Sequence, residues 1–424
     1  MTVRSSGRAL VQSFASGVLI QAILSASNFL VGWLLIRRTT DVQYGYYVLV
    51  FNTLLLLTAL QGSFIQAQMI VRMIRLDSAG RADLIGGLMR EQRVLLRFVA
   101  AGVIVIVGVL WLTGVLDSGQ SLLIACATLA ATATLMREYF RMVLFAYRRP
   151  QDVLWADACY VLVLLGGVGL ATYSSQAAVF TALTIAVAAA ASTILLSKAV
   201  SKRERWNPHG ARGILRAFAP LGTWSVSGAA AHWALSQGYS FIAAGVLSVQ
   251  SVAAIAATRL LLMPLNLVSV GLSTQLFPMT ADWVHTLGVL PALRRLALVS
   301  AGLVALALCY FVFVWFSRDW IFNTLLHKQF PQRDALLLLW GGAFVLMLVR
   351  DQLVKLLAAC ERFPVLASIT TVSAVLSVAF GYAAILRFGE VGAVAGIVIG
   401  EFANIIGVII LTFREVKRTV PAPA

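Results

Sequence analysis

Residues 98–116 read FVAAGVIVIVGVLWLTGVL, nineteen consecutive positions without a charged side chain. About 20 apolar residues in an α-helix cross the hydrocarbon core of a bilayer. No water reaches the backbone there, so a stretch of this length satisfies its amides only as a helix. With its flanks the segment reads as a span over 94–116, and the pattern repeats along the chain to give twelve. The first six cover about 14–36, 46–70, 94–116, 121–146, 153–173 and 177–197. The second six cover about 217–237, 249–277, 297–317, 335–358, 365–386 and 391–412. Composition agrees: 60% of the 424 residues are hydrophobic and 12% charged, against about 45–50% and about 25% in a soluble domain. The expected fold is an all-α polytopic membrane protein. A soluble enzyme with one core and a disordered chain are both excluded.

Arg4 and Arg8 precede the first apolar run as they would in a signal peptide. That run is too long for an h-region, and Arg37-Arg38 flank its far end, so it reads as a retained span. With the N-terminus in the cytoplasm, inner segments hold 22 basic residues and outer loops 6, the asymmetry of the positive-inside rule. The reading is a multi-pass membrane protein with both termini cytoplasmic. The net charge of +16 then reflects topology and contact with anionic lipid. Its basic residues are dispersed over short loops, which argues against nucleic acid as a partner.

The longest connections expected are about 71–93, 198–216 and 318–334, too short for a soluble domain. The chain has no Gly-rich phosphate loop, HExxH, GxSxG or DxD. Cys126, Cys159, Cys309 and Cys360 form no CxxC or Cys/His cluster, so neither a metal site nor a disulfide framework is expected. No cofactor is implied, and the reading is that the protein is not an enzyme.

The basic stretch 201–216 divides the chain into halves of six spans, 1–200 and 217–424. Arg137-Glu138 in span 4 and Arg350-Asp351 in span 10 are 213 residues apart, about half the chain. Six spans per half gives both halves one orientation, hence a parallel pseudo-repeat of two six-helix bundles. Transporters commonly use this plan.

Five cations fall inside spans: Arg137, Arg141, Arg259, Arg350 and Lys355. Glu138, Asp351 and Glu401 are the acids at depth, with Asp157 nearer a span end. A charge at the bilayer centre costs about 2.5–3.5 kcal/mol on insertion scales, so such residues face the protein interior or a wet cavity. Asp351 and Lys355 are spaced to pair, as are Glu138 and Arg141. Arg137 and Arg141 share a helix face and repel, which a bound anion would relieve. Arg259 is far in sequence from any carboxylate, and Pro264 beyond it can kink the span. Arginine suits a diphosphate through bidentate hydrogen bonds. The five cations are therefore candidates for substrate binding, with structural ion pairing as the alternative. Glu138, Asp351, Glu401 and His232 are candidates for coupling to protons, His232 because imidazole titrates near neutral pH.

The stretch Thr39-Thr40-Asp41-Val42-Gln43-Tyr44-Gly45-Tyr46-Tyr47 resembles the L-x-P-x-E-Y-G-x-Y segment of Wzx-type polysaccharide flippases. Ser251-Val252-Ala253-Ala254-Ile255-Ala256-Ala257-Thr258-Arg259-Leu260 is similar to the family's V-G-x-Y-x-x-A-x-R-L segment. Asp41 stands in the usual Pro region, and Val252-Ala253 lacks the second-half Gly. The resemblance places the chain near the multidrug/oligosaccharidyl-lipid/polysaccharide exporters. It implies a cationic cavity lined by Arg259 and the span 4 arginines. It also implies an undecaprenyl-diphosphate-linked glycan as cargo, for O-antigen or exopolysaccharide synthesis. Membrane lipid, a polysaccharide polymerase and other assembly proteins would be the partners. A multidrug exporter and a polytopic glycan polymerase or ligase, using Arg318 or His327, are the rival readings.

Overall fold

The computed structural model describes residues 7–147, 149–202, 210 and 212–419. Arg4, Arg148, Arg203, Arg205 and the middle of the basic connection lie outside them. Among the described residues the chain is helical throughout, with no strand. The helices are α1 (Gly7–Arg38), α2 (Asp41–Gln61), α3 (Ala67–Arg75), α4 (Ser78–Leu112), α5 (Ser118–Ala146), α6 (Pro150–Ala171) and α7 (Ala177–Ser201). They continue as α8 (Ile214–Val246), α9 (Val249–Leu287), α10 (Val289–Trp320), α11 (Arg333–Ala359), α12 (Phe363–Phe388) and α13 (Glu390–Thr419). Short π-helical turns, Gly62–Gln66 and Ile321–Leu326, follow α2 and α10.

Eleven stretches among the described residues are long and apolar enough to cross a membrane, so this is a multi-pass membrane protein. The remaining expected span is α8. It is 33 residues long, but Ser225, Ser227, His232, Ser236 and Gln237 make its middle more polar than the others. Pro264 lies within α9, which continues unbroken from Val249 to Leu287.

Two expected connections are largely helix. Within 71–93, only the break around Leu76 and Asp77 interrupts α3 and α4. Asp77 accepts the Gly80 amide and starts α4, a side-chain cap for amides that lack a partner in the first turn. Leu84, Ile85, Leu88 and Met89 then recur on one face and bury against Met69, Met73, Tyr139 and Phe140. That spacing is the amphipathic helical pattern, which the arginine-rich composition concealed. Likewise α10 and its π turn extend through most of 318–334.

The chain forms two compact units, residues 1–230 and 231–424, and the division falls inside α8. In the N-terminal unit, the Glu91 carboxylate accepts from the amides of Gly213, Ile214 and Leu215 at the start of α8. Gln68 donates to the Phe218 carbonyl at 2.9 Å. These bonds fix the first turns of α8 to α3 and α4. At the start of α2, Thr40 caps the helix and Gln43 accepts the Ala178 amide at the start of α7. The C-terminal unit repeats the cap: Ser248 accepts the Ser251 amide at the start of α9.

α12 and α13 are the most closely packed neighbours in the C-terminal unit. Gly392, Gly396 and Gly400 stand four apart on α13, and a Cβ at Gly396 would collide with the Gly381 backbone on α12. Small residues of this spacing let membrane helices approach at the backbone. We expect Gly396→Leu to cost about 1–3 kcal/mol through overpacking, seen as a lower thermal midpoint in detergent. Gly102→Leu on α4, where a Cβ would meet nothing within 4 Å, leaves the midpoint unchanged.

Candidate functional site

The span 4 residues form a closed cluster in the N-terminal unit. Arg137 on α5 is 3% exposed and bonds Glu138 at 3.0 Å and Asp157 on α6 at 2.5 Å. Its Nε donates to Ser192 on α7 at 3.2 Å, and its guanidinium lies 3.9 Å from the Tyr160 ring centroid. Arg141 bonds Glu138 at 2.6 Å and Asp157 at 3.0 Å. Two guanidiniums thus share two carboxylates. The expected repulsion between Arg137 and Arg141 is real, but the protein's own Glu138 and Asp157 relieve it, so no bound anion is required. The sequence placed Asp157 near a span end, yet it is fully buried and is the acid that ties α5 to α6. The cluster borders a cavity of about 250 Å³ between α1, α2, α5, α6 and α7, with Asn28, Tyr47, Thr58 and Thr134 among its polar lining.

The C-terminal unit gathers a second set. Arg350 on α11 donates to both Glu401 oxygens on α13, at 2.7 and 2.6 Å, and to Asp351 at 2.9 Å. Glu401 is fully buried and Arg350 nearly so. The expected Asp351–Lys355 pair does not form. Lys355 donates to Gln352 Oε1 at 3.0 Å, while Asp351 turns to Arg350, whose rigid fork offers two donors to one oxygen.

Arg259 is held differently. Its Nη1 donates to Gln237 Oε1 at 2.5 Å and to the Tyr239 hydroxyl at 3.2 Å. The guanidinium lies 5.1 Å from the Trp340 ring centroid and 5.8 Å from that of Tyr239. Trp340 is fully buried, and its indole donates to the Ile255 carbonyl at 3.2 Å, so the aromatic wall is fixed. Among the described residues Arg259 has no carboxylate partner, and its Nη2 and Nε carry no hydrogen bond. Gln237 and Tyr239 on α8 and Trp340 on α11 form this cradle, and sequence spacing gave no sign of it.

Arg259, Arg350, Asp351, Glu401 and His232 border one cavity of about 340 Å³, joined by Gln237, Asn266 and Ser269. Five residues singled out along the sequence, on α8, α9, α11 and α13, therefore converge. Lys355 does not line it. Local charge differs from the expected broadly cationic lining: carboxylates neutralise Arg137, Arg141 and Arg350, and the uncompensated guanidinium is Arg259. No group of His, Cys, Asp and Glu among the described residues could hold a metal ion.

Comparison with solved structures establishes the fold. The chain matches an inward-facing multidrug resistance MATE-family transporter of the MOP superfamily with a TM-score of 0.72 and 13% identity, covering 94% of each chain. It matches the lipid II flippase MurJ in an inward closed conformation with a TM-score of 0.75 and 8% identity, over 95% of this chain and 87% of that one. A Vibrio cholerae MATE transporter matches at a TM-score of 0.59 and 11% identity, over 97% of each chain. Neither the family models nor the curated proteins give a match. The chain has the fold of MOP-superfamily transporters, in which two six-helix bundles form a twelve-span membrane protein.

The clusters separate guanidiniums paired with carboxylates from one that is not. Removing one partner of a buried ion pair costs about 3–5 kcal/mol, because a charge is left behind. We expect Asp157→Ala, which strands Arg137 and Arg141, to lower the thermal midpoint sharply or abolish folded yield. Arg259→Ala, with no carboxylate to strand, keeps a near-native midpoint. Thermal unfolding of both variants in one detergent makes the comparison.

Proposed function

We propose that the chain is a flippase that moves an undecaprenyl-diphosphate-linked oligosaccharide from the cytoplasmic to the periplasmic leaflet of a bacterial inner membrane. Arg259 carries the reading. A guanidinium packed against aromatic rings, lacking a carboxylate and keeping free donors beside a polar cavity, suits one phosphate of a diphosphate. The cargo's saccharide hydroxyls find Gln237, Asn266, Asp351 and Glu401 around the same space. The fold shared with MurJ, a lipid II flippase by its description, supports a lipid-linked cargo.

In this reading both termini are cytoplasmic and the halves 1–200 and 217–424, joined by 201–216, work by alternating access. No bond is made or broken, so the protein acts as a transporter rather than an enzyme. A negative charge moving outward gains about 2.3 kcal/mol per 100 mV of inside-negative potential, which suffices as a driving force. Arg350 meets the cargo with Glu401 and Asp351 as its resting partners. Arg137, Arg141 and Lys355 hold the bundle.

Multidrug export is the second reading. The matched cations and carboxylates favour it, because Glu138 and Asp351 are partly exposed at their cavities, with side chains 20% and 38% accessible, and can meet a cationic drug.

Reconstitution decides. Vesicles carrying the protein and a labelled polyprenyl-diphosphate oligosaccharide are probed with a membrane-impermeant glycosidase. We expect protein-dependent transbilayer movement, reduced at least tenfold by Arg259→Ala and partly retained by Arg259→Lys. Efflux of a cationic dye with no lipid movement establishes the multidrug reading, and new glycosidic bonds make the protein an enzyme. Unchanged lipid movement in Arg259→Ala removes Arg259 from the site.

A further inference from the structure

Arg350 on α11 engages its two carboxylates differently. Its Nη1 donates to both Glu401 oxygens, at 2.7 and 2.6 Å. Its other edge converges on a single oxygen: Nε and Nη2 both donate to Asp351 Oδ1, at 3.2 and 2.9 Å. Among the described residues Asp351 Oδ2 carries no hydrogen bond. We propose that Asp351 is an internal stand-in for a phosphate of the cargo, and that Lys355, one turn further along α11, receives the Asp351 carboxylate when a phosphate takes its place. The assignment rests on the diphosphate-bearing cargo of the preceding section and adds how Arg350 is released to meet it.

Burial decides which carboxylate gives way. The Glu401 side chain is wholly inaccessible and both its oxygens are engaged. The Asp351 side chain is 38% accessible and borders the cavity that Arg259 also lines. An anion entering that cavity therefore competes with Asp351 and leaves Glu401 in place. Two parallel N–H donors of a guanidinium best hold an anion that offers two oxygens. Asp351 offers the Nε–Nη2 edge one oxygen. A phosphate offers it two and makes the better match.

A displaced carboxylate within a membrane bundle needs a new partner. Lys355 is placed to supply it. Residues four apart on a helix share a face, with Cβ atoms about 5–6 Å apart, and the lysine stem spans that interval. The Lys355 ammonium now makes one hydrogen bond, to the neutral Gln352 Oε1 at 3.0 Å, and among the described residues it has no carboxylate partner. Lys355 is 9% exposed and Gln352 fully buried. A buried ammonium held by a single amide is poorly compensated. A second state in which Asp351 pairs with it accounts for its presence there.

The exchange keeps each charge compensated in both states. At rest Arg350 faces Glu401 and Asp351, and Lys355 is held by Gln352. With phosphate on the Nε–Nη2 edge, Glu401 keeps Nη1 and Asp351 turns to Lys355. Arg259, on the same cavity, meets the other phosphate. Lys355 does not line the cavity and does not touch the cargo. It is a positioning residue, whose charge lets Arg350 change partners without stranding an acid.

The test is a double-mutant cycle on the full-length protein in detergent, with a fluorescent polyprenyl diphosphate as probe. Asp351→Asn, Lys355→Met and the double variant are compared for probe affinity, and for thermal midpoint without probe. We expect Lys355→Met to weaken binding about fivefold, against less than about twofold in the Asp351→Asn background. Asp351→Asn alone tightens binding, because a neutral amide competes less well for Arg350. Lys355→Arg restores affinity. Without probe the two midpoint shifts add, since the side chains do not touch. An equal loss from Lys355→Met in both backgrounds, the mark of a merely structural lysine, overturns the proposal, as does weaker binding by Asp351→Asn. A second arm needs no cargo. Arg350→Met with Glu401→Gln removes the buried pair together and leaves Asp351 without its guanidinium. Coupling between Asp351 and Lys355 then appears in the thermal midpoint, and its absence there overturns the exchange. Probe binding without coupling in either arm removes the exchange and keeps the flippase reading. Coupling in the second arm with no probe binding removes phosphate as the displacing group, and the flippase reading with it.

Discussion

A guanidinium inside a helix bundle must find a carboxylate or an aromatic and amide cradle, because hydrocarbon offers no water to replace them. The packing of each unit is arranged around that requirement. Arg137 draws α5 toward Asp157 on α6 and Ser192 on α7. Arg350 draws α11 toward Glu401 on α13. The helices that carry these groups can close only because their other contacts are small. Gly392, Gly396 and Gly400 let α13 lie against α12 at backbone distance.

The two units solve the same problem with related parts. Each has an Arg-acid pair at matching positions, Arg137-Glu138 and Arg350-Asp351. In each, the Arg also reaches a fully buried acid on a different helix. Each unit caps its second long helix with a hydroxyl, Thr40 or Ser248, and in the N-terminal unit Gln43 also ties that helix's first turn to the start of α7. Eleven residues beyond the cap, the N-terminal unit has Phe51 and the C-terminal unit has Arg259, and each side chain lines its own unit's polar cavity. One cavity therefore presents an uncompensated cation and the other a closed, neutral cluster.

That division of charge gives the two units different chemistry. The N-terminal unit keeps its guanidiniums in a closed cluster with two carboxylates beside a small polar cavity. The C-terminal unit places a cation, two carboxylates and an imidazole on one cavity, an arrangement suited to a polar, anionic group. The turns that begin α8 are held by Glu91 and Gln68 of the first unit, and the same helix runs on to His232 and Gln237 beside the second cavity.

The spans and the charges within them were legible in the sequence because hydrocarbon imposes a simple rule. Long uncharged runs become helices, and any charge inside one is costly enough to stand out. Glu138 with Arg141 was readable too, since i and i+3 meet on one helix whatever surrounds it. The helices in 71–93 were present in the spacing of Leu84, Ile85, Leu88 and Met89, but obscured by arginines that suggested a loop. What the sequence could not determine was partner choice between helices. Asp351 was equally spaced for Lys355 and adjacent to Arg350, and Arg137 had two plausible acids and a hypothetical anion. Only the tertiary packing, which brings α6 to α5, α13 to α11 and Trp340 beneath Arg259, decided which charges were neutralised and which guanidinium kept its donors, because electrostatic energy depends on distances that one-dimensional spacing does not contain.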